Sequence, residues 1–145
     1  MWHEINSQGD LDSFMNMLWH FHDSCLKELK YISGAYVKND LAMWPINEKR
    51  SLRVIFQRQA KKSSVIEVEF LGLKRLSMIP ADEKYTCEIL GATMLLKKDC
   101  IYWCDENGLT EADFHTYEGT LICATKARWR VIDGYIGKEQ VYVMR

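Results

Sequence analysis

The chain has 145 residues, 48% of them hydrophobic, and a formal net charge of −1, which is typical of one globular domain spanning residues 1–145. Nucleic-acid-binding domains usually carry a basic excess, so this balanced charge argues against a nucleic-acid partner. No apolar run approaches the roughly 20 residues of a membrane span and no signal peptide is recognisable, so we expect a cytoplasmic protein with reduced thiols and no membrane partner.

An amphipathic helix is predicted over residues 10–23. Asp10 is the expected N-cap, because its carboxylate can accept hydrogen bonds from the free amides of the first turn. One helix cannot hold an apolar face in water, so this face requires a partner surface. The residues with the spacing of that face are Leu11, Phe14, Met15, Leu18, Trp19 and His22.

Strands are predicted for most of the chain after the helix, because apolar and polar residues alternate there between short turns. The turns are tight and no further helices intervene, which argues against a βαβ sheet. We therefore expect an α+β fold, in which one N-terminal amphipathic helix packs on a mostly antiparallel sheet of about six to seven strands, as a sandwich or a partly open barrel. The predicted strands are 26–37, 41–44, 52–57, 66–73, 87–96, 101–104, 121–131 and 141–143.

His22 and Asp23 lie where the helix gives way to the first strand. The helical spacing places His22 on the buried face, where a histidine usually satisfies a backbone carbonyl or a carboxylate. Alternatively, Asp23 orients the imidazole and the two form a binding or catalytic site. Because His20 and His22 differ by about 200° around a helix, they cannot chelate one metal ion together.

A second candidate site is the row of Lys126, Arg128 and Arg130 on one face of a predicted strand. Glu67 and Glu69 can face this row across the sheet, which would give a solvated, salt-bridged surface. The other interpretation is an electrostatic docking face for a charged protein.

Trp103 and Trp129 are further binding candidates, because tryptophan is enriched in interfaces, although most aromatic residues here must belong to the core. Cys100 and Cys104 have strand spacing and are interpreted as structural thiols. The chain contains no phosphate loop, nucleophile elbow or metalloprotease motif. We therefore predict no catalytic residues, no metal and no cofactor.

The stretch Trp19-His20-Phe21-His22-Asp23-Ser24-Cys25-Leu26-Lys27-Glu28-Leu29 resembles the opening of small bacterial proteins. In that group a Phe/Ile-His-Asp-Ser element leads into the first strand of an α+β body, and some members are immunity proteins of polymorphic toxin systems. The resemblance covers residues 14–37. It implies a bacterial cytoplasmic binding protein without a catalytic role.

These observations lead to two functional hypotheses. The first is a protein-binding module of the immunity type, and the alternative is a small-molecule-binding or enzymatic domain with a pocket at the helix–sheet seam around His22 and Asp23. A homodimer is also possible in principle, because an edge strand such as 141–143 can pair with a second copy.

Overall fold

A computed structural model describes residues 1–132 and 134–138, and it confirms an α+β fold with one α-helix on an antiparallel sheet. The strands of the main sheet are β1 (His3–Ile5), β2 (Ser24–Ile32), β5 (Ser51–Arg58), β6 (Val65–Ser77), β7 (Thr93–Lys97), β8 (Cys100–Cys104) and β9 (Leu121–Val131). Their order in this seven-stranded sheet is β2-β5-β6-β9-β8-β7, and β1 pairs with β9 beside β8. The sheet is open and is not closed into a barrel.

The α-helix α1 spans Gln8–Met17, so its predicted bounds of 10–23 are wrong at both ends. Ser7 is the N-cap, and Asp10 occupies the third helical position of a capping box in which each side chain binds the other residue's backbone amide. After Leu18 the chain forms a short 3₁₀ turn over Trp19–Phe21. No helix in residues 1–132 and 134–138 is long and apolar enough to cross a lipid bilayer.

The core lies between α1 and one face of the sheet. Phe21 is fully buried at its centre, with its ring centroid 4.8 Å from that of Phe56 and 5.7 Å from that of Trp103. The expected alternation holds in β5 and β6, where every second side chain is buried against α1. These inward residues are Leu52, Val54, Phe56, Ile66, Val68 and Phe70.

A small two-stranded sheet of β3 (Tyr36–Val37) and β4 (Met43–Trp44) lies outside the main sheet. The predicted strand 26–37 is therefore interrupted at Gly34, which has φ +96°. Gly34 lies close to the Lys49 backbone, and a Cβ at this position would be 2.9 Å from the Lys49 nitrogen. Gly34 is thus a position of close backbone approach, where a side chain would clash.

Two further predictions differ from the structure. Residues 87–92 are not a continuous strand, and only Ile89 forms an isolated bridge, with Ser24. No helix is predicted after the first one, but Glu111–His115 form a 3₁₀ helix. The predicted strand 141–143 lies outside the described residues.

Candidate functional site

The helix–sheet seam brings His22 and Asp23 together at the surface. Nδ1 of His22 lies 2.8 Å from Oδ1 of Asp23, and their side chains are 51% and 41% exposed. The expected contact between imidazole and carboxylate is therefore present, but the expected burial of His22 is wrong. With Nδ1 engaged by the carboxylate, the Nε2 side of the ring is left for another partner.

The reason is a left-handed backbone turn that ends the helical spacing. Trp19, His20 and Phe21 have φ of 51°, 52° and 64°, a region that costs residues other than glycine roughly 1–2 kcal/mol each. The turn rotates Phe21 into the aromatic core and Trp19 outward, leaving Trp19 72% exposed. His22, three residues after Trp19, is carried to the surface with it.

Hydrogen bonds on both sides hold the seam backbone. The amide of Asp23 donates to the Ile89 carbonyl, and the Asp23 carbonyl accepts from the Gln59 amide. The Ala92 amide donates to the His20 carbonyl at 2.7 Å. These bonds tie the left-handed turn to two other segments of the chain, which explains how its strain is maintained.

A surface cavity of about 470 Å³ opens beside His22 and Asp23. Arg58 forms part of its wall and donates through its two terminal nitrogens to the Ser63 and Met17 carbonyls. Its Nε is buried without a hydrogen-bond partner among the described residues, and burial lowers the pKa of this guanidinium. Lys62 supplies a second positive charge to the same wall.

Arg128 and Arg130, by contrast, are already paired. Each guanidinium donates two hydrogen bonds to one carboxylate oxygen, Arg128 to Glu69 and Arg130 to Glu67, at 2.8–3.1 Å. Glu67 is 0% exposed and Glu69 is 4% exposed. The predicted pairing across the sheet is confirmed, but the carboxylates are buried and not solvated.

Other groups complete this charged cluster, which we define as Arg53, Glu67, Glu69, Arg128 and Arg130. Nη1 of Arg53 lies 3.7 Å from Oε1 of Glu67, and its Nε lies 3.8 Å from Oε2 of Glu69. The Trp2 ring lies 4.5 Å from both the Arg128 and the Arg130 guanidinium carbons.

Lys126 alone of the predicted basic row is fully exposed, and it makes no ion pair with a described residue. The row therefore does not form a surface of free positive charges. Its two arginines contribute to the sheet by neutralising buried carboxylates.

The two candidate tryptophans have different surroundings. Trp103 is 1% exposed, packs in the aromatic core and lines a cavity of about 600 Å³ next to the loop that follows β6. Trp129 is half-buried, and its ring stacks on those of His3 and Phe14. Neither ring is freely presented at the surface.

The cysteines are free thiols in several environments. Cys104 is buried beside Phe114 and Leu121, and burial raises the pKa of its thiol. Cys100 is half-buried and Cys87 is exposed.

One segment with many exposed apolar side chains was not predicted from the sequence. Residues 31–46, here called the apolar ribbon, comprise the end of β2, the β3–β4 pair and the segment after it. The sequence pattern did not indicate this feature, because Tyr36 and Val37, like Met43 and Trp44, are consecutive apolar residues that face opposite sides of the ribbon. Its exposed large side chains are Tyr31, Ile32, Tyr36, Val37, Leu41, Met43, Trp44 and Ile46.

The base of the ribbon is well anchored. The amides of Lys49 and Arg50 both donate to the Ser33 carbonyl, at 3.0 and 3.1 Å. A hydrogen bond from the Ala42 amide to the Asp40 carboxylate shapes its tip. The ribbon is thus a formed structure that presents apolar side chains, and not an unfolded loop.

Comparison with family models, with curated proteins and with solved structures finds no match to this chain.

Proposed function

We propose that this chain is a protein-binding module, and that the apolar ribbon is its docking surface. The observation that carries the proposal is the exposure of eight large apolar side chains within 16 consecutive residues, with Leu41 83% and Met43 66% exposed. Clusters of exposed apolar side chains mark interaction sites in soluble proteins, and here Tyr36 pairs with Trp44 on one face of the β3–β4 ribbon and Val37 with Met43 on the other. A two-stranded ribbon has no second layer of its own, so a partner can supply one.

The charges around the ribbon indicate the chemistry of the partner. Three exposed lysines and two exposed carboxylates lie in or next to the ribbon, namely Lys30, Lys38, Lys49, Asp40 and Glu48. None of the five forms an ion pair with a described residue. The excess of positive charge favours a protein with an apolar groove rimmed by carboxylates.

The proposal includes a reducing, cytoplasmic location and a binding role of the immunity type. Five free cysteines support the first point, and the resemblance of residues 14–37 to small bacterial proteins supports the second. An immunity protein acts by covering a surface of its target, so it needs a formed docking surface and no catalytic group of its own.

The test is affinity capture from a lysate of the source organism, followed by titration of the captured protein. We expect Leu41→Ser/Met43→Ser to weaken the complex at least about tenfold, as truncated anchor residues do. The matched control is Tyr85→Ser/Leu90→Ser, which removes two side chains of similar exposure, 77% and 73%, far from the ribbon in sequence and should leave binding unchanged.

Two results would contradict this function. One is that the captured proteins bind the Leu41→Ser/Met43→Ser variant with the same affinity as the wild-type chain. The other is a dimer in light scattering that dissociates on dilution and is abolished by Leu41→Ser/Met43→Ser, because the ribbon would then be covered by a second copy of this chain.

A further inference from the structure

The seam cavity is unusual because so much of its surroundings adopts a left-handed backbone. Five of the seven residues other than glycine with positive φ among the described residues belong to this seam. Packing of Phe21 accounts for the turn at 19–21, but it does not require the positive φ at Asp23 and Ser63, 60° and 54°. These five residues are Trp19, His20, Phe21, Asp23 and Ser63.

The charges in the cavity wall are mainly positive. Arg58 and Lys62 carry fixed positive charge, and His22 adds a third when its imidazole is protonated. Among the described residues, Asp23 is the one carboxylate that lines the wall, and it is engaged by His22 at 2.8 Å. The wall therefore presents more positive than negative charge to a ligand.

Arg58 also has a structural role, because its two terminal nitrogens already donate hydrogen bonds to backbone carbonyls. Its hydrogen bond to the Met17 carbonyl caps the last turn of α1, and its bond to Ser63 closes the β5–β6 connection. The buried Nε has no acceptor in the described residues. A buried donor without an acceptor is costly. Each terminal nitrogen carries a second N–H besides the one already donated, and these are the groups that Arg58 offers to an anion in the cavity.

The remaining wall is apolar. Trp19 and Met17 line the cavity and are 72% and 38% exposed. A volume of about 470 Å³ lies within the range of small-molecule sites. An exposed tryptophan beside fixed cations suits a ligand with an aromatic or aliphatic body and one anionic group.

We propose that the seam cavity binds a small organic oxyanion, a carboxylate or a phosphate monoester carried on an apolar body. Arg58 and Lys62 hold the anionic group, His22 positioned by Asp23 donates from Nε2 in its protonated form, and Trp19 contacts the apolar body. This site is separate from the apolar ribbon and does not depend on protein binding there.

The experiment is a titration of the ¹⁵N-labelled full chain with three probes that share a phenyl ring: benzoate, phenyl phosphate and benzylamine. The readout is the chemical shift of the Trp19 indole N–H and of the amides of 58–63. Saturable shifts with the two anions and none with benzylamine support the proposal. Tighter binding of phenyl phosphate assigns the site to phosphate esters, and tighter binding of benzoate assigns it to carboxylates.

The variant pair is Lys62→Gln and Lys61→Gln. Both residues are exposed neighbours in one turn, but only Lys62 lines the cavity, so both variants should fold. We expect Lys62→Gln to weaken anion binding about two- to fivefold, the range for a partly solvated charge, and Lys61→Gln to have no effect. Arg58→Gln is a poorer test, because it also removes the cap of α1.

Three outcomes would overturn the proposal. They are the absence of saturable shifts at the seam with either anion, equal binding of benzylamine, and equal losses in the Lys62→Gln and Lys61→Gln variants. The last result would show that the anions respond to general positive charge and not to the cavity.

Discussion

Asp10 is the residue whose role differs most clearly from its predicted one. It was expected to cap α1 from the N-cap position, but Ser7 occupies that position and Asp10 accepts from the amides of Asn6 and Ser7. The Ser-x-x-Asp spacing is itself a capping-box signal, so the sequence contained the correct answer. Two cap-forming residues three positions apart made the boundary ambiguous.

The capping box predicts a pH-dependent contribution of Asp10 to stability. The hydrogen bond from the Asn6 amide, with smaller contributions from Ser7, holds the pKa of the Asp10 carboxyl below 3.8. A folded-state pKa below the unfolded value stabilises the protein above the unfolded pKa, and this stabilisation is lost as pH falls through the folded pKa. We expect Asp10→Asn to lower the free energy of unfolding at pH 6 and to matter less at pH 3.

Urea denaturation of both proteins at these two pH values measures the difference. A destabilisation by Asp10→Asn that is as large at pH 3 as at pH 6 would show that the ionised carboxylate is not the stabilising form.

The charged cluster shows how three neighbouring strands, β5, β6 and β9, can share a layer of buried carboxylates and arginines. Register pairs Glu67 with Arg130 and Glu69 with Arg128 between β6 and β9. Arg53 lies opposite Glu69 on β5. The sequence alternation predicted this facing arrangement, but only the tertiary structure shows that Glu67 is completely buried, because that depends on what covers the outer side of the sheet.

Arg130→Ala should therefore be strongly destabilising. Among the described residues it leaves the buried Glu67 with only Arg53 as a cationic neighbour, at 3.7 Å. Breaking a buried pair typically costs about 3–5 kcal/mol in free energy of unfolding. The double variant Glu67→Leu/Arg130→Leu should be more stable than Arg130→Ala, because it removes both charges together.

Chemical denaturation of these variants and of Lys126→Ala makes the comparison. Lys126→Ala should change stability by less than about 0.5 kcal/mol, as exposed substitutions usually do. Near-wild-type stability of Arg130→Ala would indicate that Glu67 is not held as a buried charge. Binding experiments that reverse the charges of Arg128 and Arg130 would be confounded by unfolding, so variants of the apolar ribbon are the better test of partner binding.

On the scale of the whole molecule, Phe21 connects the seam to the core. Its ring meets those of Phe14, Phe56 and Trp103 at centroid distances of 4.8–5.8 Å. The left-handed turn that exposes Trp19 and His22 is the same turn that inserts Phe21. Core packing and the geometry of the candidate cavity are thus set by one structural element.

Phe21→Ala should lower the free energy of unfolding by about 3–5 kcal/mol, the usual cost of removing a buried aromatic ring. Trp19→Ala, two residues away but exposed, should change it by less than about 0.5 kcal/mol. Thermal and urea denaturation measure both values. Similar losses for the two variants would mean that Trp19 is also a core residue and that the seam is not open as described.

Local patterns determined much of this fold. Alternation in β5 and β6 identified which side chains face the helix, and turn residues separated most of the strands correctly. In β9 it failed at the first residues, because Ile122 joins the core while Leu121 packs in a separate cluster. The spacing of Leu11, Phe14, Met15 and Leu18 located the buried face of α1. These predictions succeed because period-2 and period-3.6 patterns reflect contacts with one large neighbouring surface.

Other features were decided by tertiary contacts between distant segments. The turn at 19–21 is held by the Ala92 amide and accommodated by the aromatic core. The helical spacing of the sequence does not reveal these contacts, and the helix predicted from it therefore ran too far, past this turn. The burial of Glu67 and the exposure of the apolar ribbon depend on which layers cover each side of a sheet. Sequence by itself determined the α+β class and most of the inward-facing residues. The tertiary structure decided which polar groups are buried and which apolar groups remain exposed. The reason is that exclusion of solvent is a property of the assembled layers and not of any one segment.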